Sequence, residues 1–536
     1  MNFSKIKAII FSLSFITILF LLIYALNLNI LIPHEDAAIT LDIAKNLSER
    51  NIFTYGNSNI PIEGSVDFLW VVIISFFTKL GFDSYYVALL ITLSSLLGLL
   101  RIFQKKAIFK KKGIIFFTLI FIFLNPFIWS GIAGFSSVFF SFLIVSVIYF
   151  YENKDYKFFW ILSLFTILTR PDGIVWIITP ILIKIFSLRR NNISEIKYIL
   201  IVSIVGIIYF VSRFLYFENF FPLPFYVKTN FNLLSFDSIV KYSFVLIPLI
   251  ISTIFFKKDI NQNFIKRILI FISIPIIFYS FNSLSQNYAN RFFAPLFFGI
   301  LYILLTYNVR FCKFFLIISF IFNFYFTVES FLYLTASKNE TIYNISQDIK
   351  FLEGNVLTTE AGRISYYTKN LFVEDAWGIT NPKYAKKIIT SKDLSKGDFD
   401  FAILHCDINN LNKKNLKDST LRSWKNMCNN ITKFLNSNLE QYSVFLVPFR
   451  LTNENSLYSI MRSKYKEIKL KAVEKKILSN FYLAGYKGCK TYLLFVVDKN
   501  YNSFKMISNI LAKYNSIDYK KNNKIKDKIK YDVICK

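Results

Sequence analysis

The feature that most constrains this chain is a recurrence of apolar stretches, each about twenty residues long, between Ala8 and Thr335. A helix rising 1.5 Å per residue needs about that length to cross roughly 30 Å of hydrocarbon. Inside a bilayer every backbone N–H and C=O must be paired within the protein, so a spanning stretch of this kind has to be helical. Of the 536 residues, 54% are hydrophobic and 19% aromatic, which excludes a disordered chain and an ordinary cytosolic enzyme. The more polar segment 336–536 follows.

In a soluble protein a formal net charge of +29 would point to nucleic acid. Here the placement of the charge argues against that partner and for a lipid bilayer. Lysines and arginines cluster in short loops between apolar stretches: Lys5 and Lys7; Arg101, Lys105, Lys106 and Lys110 to Lys112; Lys154 and Lys157; Arg189 and Arg190; Lys257, Lys258, Lys266 and Arg267; Arg310 and Lys313. Read as cytoplasmic, these loops fix the orientation by the positive-inside rule.

That reading predicts a first span at 8–32, retained because no small-residue cleavage site interrupts it, and an external loop at 34–83. Further spans follow near 84–103, 113–129, 132–151, 158–170, 172–187, 197–217, 239–256, 267–281, 292–308 and 314–335. About eleven spans put the tail outside, and the short pair around Arg170 is open to a re-entrant reading. In the first loop Ile39, Ile43 and Leu47 recur every fourth residue, as in an amphipathic helix lying on the membrane surface. Residues 66–82 are apolar over only about seventeen positions, and counting them as a span would put the basic segment 101–112 outside, so they read as a juxtamembrane helix in the same loop.

The expected architecture is an α-helical polytopic membrane protein. It has a transmembrane domain at 1–335 and an external α/β domain at 336–536, in a bacterial inner membrane. In the tail "NVLTT", "NLFVED", "DFAILH", "YSVFLVPF" and "TYLLFVV" read as strands between polar helical stretches. The last segment, "YKKNNKIKDKIKYD", is too charged to pack. In an oxidising external compartment Cys406 and Cys428 are placed to pair, closing a loop of about twenty residues. No C-x-x-C pair offers a metal or redox site.

The residues that can carry chemistry stand near predicted span ends. Glu35 and Asp36, directly after His34, follow the first apolar stretch; at hydrocarbon depth they would cost several kcal/mol, so they belong at the interface or in a wet cavity. With them come Glu63 in "IEGSVDFLW", Arg170 and Asp172 in "LTRPDGIVW", Arg213 and Lys228 around "FLYFENFFPLPFYVK", and Arg291 in "NYANRFFAP". Each has a structural alternative. The acids suit the first turn of a helix; Arg170 can pair with Asp172 across Pro171; Lys228 can snorkel and Arg213 can anchor at the interface. Taken together, acids and bases at membrane level suit a substrate that is both lipid-borne and anionic, such as a polyprenyl-phosphate sugar. Arginine and lysine would bind its phosphate and a carboxylate would deprotonate the attacking hydroxyl. Asp36 is the first choice as base, Glu35 the second and His34 a weaker third.

The order "EDAAITLDIAKNL…IEGSVDFLW…FIWSGIAG…LTRPDG…PLPFYVK…NRFFAP", over residues 30 to 300, resembles the multi-spanning glycosyltransferases of the C superfamily. The likeness is to the group containing the terminal arabinofuranosyltransferases of mycobacterial cell walls, and "GRISYYTKNLFVEDAWGITNP" extends it into the tail. The resemblance implies an inverting transferase moving a pentose or hexose from a polyprenyl-phosphate donor to a cell-envelope glycan or glycolipid. It places the family's acidic pair on Glu35 and Asp36, its EG on Glu63 and Gly64, its RPDG on Arg170 to Gly173 and its closing lysine on Lys228. Two positions depart from the pattern: Ala133 stands where the family has glutamate, and Leu223 where it has asparagine. An acidic pair can also hold Mg²⁺ or Ca²⁺, although a phosphate leaving group flanked by Arg and Lys does not require one. The alternative class, a flippase or transporter of lipid-linked glycans, should show a repeat symmetry that the sequence lacks.

Overall fold

The computed structural model describes residues 31–106, 124–186, 193–228, 236–256, 262–280, 287–307, 309–336, 340–397, 399–406, 418–448, 492–514 and 516–518. The expected first span, most of the 113–129 span and the charged end of the tail lie outside the described residues. Contacts divide the chain into two compact units: 1–33, 88–204 and 232–338 form one, and 34–87, 205–231 and 339–536 form the other.

The helices Ser84–Lys106, Ser137–Glu152, Tyr156–Thr169, Gly173–Phe186, Ile193–Phe217, Phe236–Phe255, Gln262–Ser280, Ala294–Tyr307 and Val309–Ala336 fall on the apolar stretches read from the sequence. Among the described residues Ser84–Lys106, Ile196–Phe217 and Tyr288–Tyr307 are long and apolar enough to cross a membrane. The Ile193–Phe217 helix exposes Leu200, Ile201, Ile207, Ile208 and Leu215. In water such a face would be a liability; against lipid it is ordinary. This is a membrane protein. Pro126–Ile132 crosses the expected boundary between the spans 113–129 and 132–151 and forms a pair with Ser137–Glu152, bent by 115°. Gly134, at φ +97°, makes the break between them.

In the first unit, small residues let helices close on one another. A Cβ on Gly299 would lie 2.1 Å from Phe271 Cζ, so only glycine admits that ring. Glu152 gathers Lys106 (3.3 Å), Arg267 (3.3 Å) and the Tyr302 hydroxyl (2.6 Å), joining helix ends that carry the basic loops.

The second unit holds a six-stranded sheet: β1 Gly354–Thr358, β2 Leu371–Asp375, β3 Phe401–Leu404, β4 Tyr442–Pro448, β5 Tyr492–Asp498 and β6 Ile517–Asp518, in the order β2-β1-β3-β5-β4-β6. β2, β1 and β3 run parallel and the remaining pairs antiparallel. The five strand-like runs of the tail coincide with β1 to β5. Alternation places Ala402, Leu404, Val444, Leu446, Leu494 and Val496 on one face, against Ile431 and Leu435 of the helix Trp424–Ser437. Phe401, Ile403, Phe495 and Val497 are buried as well, so both faces are covered and the strands read as nearly continuous apolar runs. Cys406 and Cys428 form the expected disulfide, Cα to Cα 5.4 Å, tying the end of β3 to that helix.

The helix Glu35–Arg50 is not a surface helix. It is buried along most of its length, polar positions included. Asp42 accepts the Gly56 N–H at 2.8 Å and the Ser365 hydroxyl, and Asn46 donates to the carbonyls of Thr54 and Gly56. Those bonds satisfy the polar groups that its apolar period left facing inward. The expected juxtamembrane stretch forms the helix Phe68–Lys79, with Phe76, Phe77 and Leu80 exposed at its end.

Candidate active site

Glu35 and Asp36 open their helix, and His34 caps it: the Asp36 N–H donates to His34 Nδ1 at 3.2 Å. A first-turn acid meets the positive end of the helix dipole, so local structure alone accounts for one of the two. From there the carboxylates diverge.

Glu35 turns to the helix Ala361–Tyr367. Its Oε1 accepts the N–H groups of Gly362 (2.7 Å) and Arg363 (3.0 Å), donors that have no partner within that helix. The approach is so close that a Cβ on Gly362 would lie 1.7 Å from the Glu35 carbonyl oxygen, which explains the glycine. Arg363 is fully buried, pairs with Glu340 and lies 3.7 Å from Glu35 Oε2. Burial pushes the Glu35 carboxyl up to about 8, with Arg363 and the two amides pulling the other way and the neighbouring Glu360 adding to the rise.

Asp36 points elsewhere. Its Oδ2 is 4.0 Å from Lys228 Nζ, and the two side chains are 20% and 35% exposed. Lys228 closes the short helix Leu223–Lys228, which a buried ion pair positions. Arg213 grips Glu63 with two parallel donors, Nε to Oε1 at 2.9 Å and Nη2 to Oε2, and its Nη1 donates to the Phe220 carbonyl at 2.9 Å. The Glu63 carbonyl in turn accepts the Leu223 N–H at 3.0 Å. The pair therefore ties the first loop to the turn that leads into the Lys228 helix. Burial raises the Glu63 carboxyl and Arg213 lowers it.

In the other unit the structure brings Arg170, Asp172 and Arg291 together around Phe292. Arg170 forms a bidentate pair with Asp172 (2.9 and 3.0 Å) across Pro171, and the Tyr279 hydroxyl donates to Asp172. Both guanidinium groups stand 5.2 Å from the Phe292 ring, and Arg291 lies 3.9 Å over Phe135. Aromatic faces stabilise such cations where water is scarce.

The sequence reading singled out neither Arg363 nor Glu340. Both lie beyond the motif run, although Gly362 and Arg363 open the tail stretch "GRISYY". Among the described residues no group of three or more His, Cys, Asp and Glu side chains could hold a metal ion.

No family model matches the sequence. Nor does any curated protein match it. Among solved structures the chain is similar to ArnT from Cupriavidus metallidurans in the apo state, with 11% identity and a TM-score of 0.45 over 72% of this chain and 93% of that one. A likeness that distant carries no assignment of function.

Proposed function

We propose that this chain is a membrane glycosyltransferase of the C-superfamily type. It moves a pentose or hexose from a polyprenyl-phosphate donor to a hydroxyl of a cell-envelope glycan or glycolipid, on the outer face of the inner membrane and with inversion. The observation that carries the reading is the Asp36–Lys228 pair: a partly exposed carboxylate at one helix start facing an ammonium at another helix end, 4.0 Å away. The motif order gives it support. The disulfide and the basic loops favour an outer, oxidising location for the sheet.

In the resting protein each charge occupies the other. A donor phosphate competes for Lys228 and releases Asp36, which then takes the acceptor's proton as the hydroxyl oxygen attacks the anomeric carbon. The bond from that carbon to the phosphate oxygen breaks, the electron pair leaves with the polyprenyl phosphate, and Lys228 stabilises the charge that develops there. Glu35 fixes the helix start that presents Asp36, and the Glu63–Arg213 pair fixes the helix that presents Lys228. Arg170 and Arg291 are assigned to the donor's phosphate by their place near predicted outer span ends alone, and Asp172 orients the Arg170 guanidinium.

The test is mass spectrometry of lipid-linked sugars and envelope glycan in a strain lacking the protein. Accumulated polyprenyl-phosphate sugar with a glycan shortened by one residue is the expected result. Unchanged profiles of both would overturn the proposal.

A further inference from the structure

The sequence β1, β2, β3 is laid down in the order β2-β1-β3, so the chain leaves β1 on one side and returns on the other. In parallel sheets the crevice outside the carboxyl ends of the strands at such a reversal is where ligands bind. Here Thr358 pairs with Ile403, and the next residues outward bring Glu360 and His405 together. His405 Nδ1 lies 2.8 Å from Glu360 Oε1, and the His405 N–H donates to Thr359 Oγ1 at 2.7 Å. The imidazole and carboxylate side chains are 22% and 13% exposed.

One indole adjoins the pair and a second stands against the first. Trp424 Nε1 donates to the His405 carbonyl at 3.3 Å, and its ring lies 5.4 Å from that of Trp377, which follows β2. Arg422 stacks 5.2 Å over Trp377 and is held there by the carbonyls of Trp377 and Ala385, at 2.7 and 2.8 Å. Both indoles pack against the core and stay partly exposed. Paired planar polar groups beside partly exposed aromatic rings are the chemistry that binds a sugar ring, with apolar C–H faces and a rim of hydroxyls. The place adjoins the proposed base's neighbour in the chain: Glu360 immediately precedes the helix whose first amides Glu35 binds.

We infer that the carboxyl ends of β1 and β3 form a carbohydrate subsite for the acceptor, in which Glu360 and His405 hydrogen-bond hydroxyls and Trp377 and Trp424 take an apolar sugar face. The inference rests on the transferase reading above. The disulfide Cys406–Cys428 is then a positioning device, holding the strand that carries His405 against the helix that begins with Trp424.

The test uses the full chain in lipid nanodiscs. The probe is delipidated envelope polysaccharide from the strain lacking the protein, titrated by calorimetry without donor. Saturable binding is expected, weakened about tenfold by Glu360→Gln, by His405→Gln and by Trp377→Ala, the loss of one good contact. In transfer assays the same variants should raise the acceptor KM with the donor KM unchanged. The two near-isosteric polar variants keep the test valid if the tryptophan variant unfolds. Absence of saturable binding by the unmodified protein, or equal binding by all three variants, overturns the subsite. Donor accumulating in the deletion strain without such binding leaves the transferase reading standing and sinks this one. Binding by the subsite with unaltered lipid-linked sugars does the reverse.

Discussion

Asp36 Oδ2 lies 4.0 Å from Lys228 Nζ, and the two reach that distance from helices that the chain builds far apart. A partly exposed ion pair of this kind contributes little to stability, typically 0 to about 1 kcal/mol. The Glu63–Arg213 pair, by contrast, is buried on both sides and ties segments together, and Glu35, itself 17% exposed, lies against a fully buried Arg363. Of these three pairs Asp36–Lys228 is the most exposed and the one whose two charges a substrate can reach.

Asp36→Asn keeps the shape and most of the helix-end preference. As a capping change it would leave transfer intact. As loss of a general base it should lower turnover by about 10² to 10⁴ with the protein still folded and inserted. Lys228→Met should instead weaken donor binding or leaving-group stabilisation by about 1.5 to 3 kcal/mol. Purified variants assayed in proteoliposomes decide the matter; near-normal turnover of Asp36→Asn would remove Asp36 from the mechanism.

The Glu63–Arg213 pair makes a different prediction. Removing one partner of a buried pair strands a charge and should cost about 3 to 5 kcal/mol, whereas removing both should cost less. Glu63→Leu and Arg213→Met should each unfold well below the native protein in detergent melts, and the double variant should recover part of the loss. Additive losses would mean that the two side chains do not depend on each other.

Much of this was legible in the sequence because bilayer helices and strands announce themselves by length and period. Among the described residues the apolar stretches became helices, and "DFAILH" or "YSVFLVPF" became β3 and β4. Arg170 and Asp172 were two residues apart across a proline, so their pairing could be foreseen. Other features depend on long-range packing. The every-fourth-residue pattern of Ile39, Ile43 and Leu47 suggests a helix with one apolar face, yet Asp42 and Asn46 are buried as well because Gly56 and Ser365 supply their partners. Nothing near Glu35 in the chain says that Gly362 and Arg363 will bind it. The one local hint is a glycine whose need appears only when another backbone closes over it.

Cys406 and Cys428 should be unreactive to thiol reagents in the native protein and label only after reduction. Cys428→Ser should lower stability by roughly 3 kcal/mol, the entropy of a loop of this size in the chain-entropy model. Labelling of both cysteines without reductant would contradict the bridge and remove one support for the outer location. Alkaline phosphatase fused after Lys338 supplies the independent check. It should be active, and an inactive fusion together with an active one at Lys105 would reverse the orientation.

The last prediction concerns Glu35. Its carboxyl is pushed up to about 8 from an ordinary 4.5, so the folded protein holds this proton more tightly than the unfolded chain does. The resulting stabilisation is fully present below about pH 4.5 and is lost as pH rises through about 8. Asp42 and Asp375 are raised by burial too and act in the same direction, so the whole protein should lose stability toward alkaline pH. Glu35→Gln isolates one contribution. It is permanently neutral, keeps the oxygen that accepts the Gly362 and Arg363 amides, and leaves the other acids in place. Melting curves measured between pH 5 and pH 9 should therefore fall less steeply for Glu35→Gln than for the unmodified protein. Glu35→Ala, which strands both amides, should be destabilised by about 1 to 3 kcal/mol even at low pH. If the Gln variant and the unmodified protein fall in parallel, the Glu35 proton does not change its affinity on folding, and Glu35 stays ionised beside Arg363 throughout the neutral range.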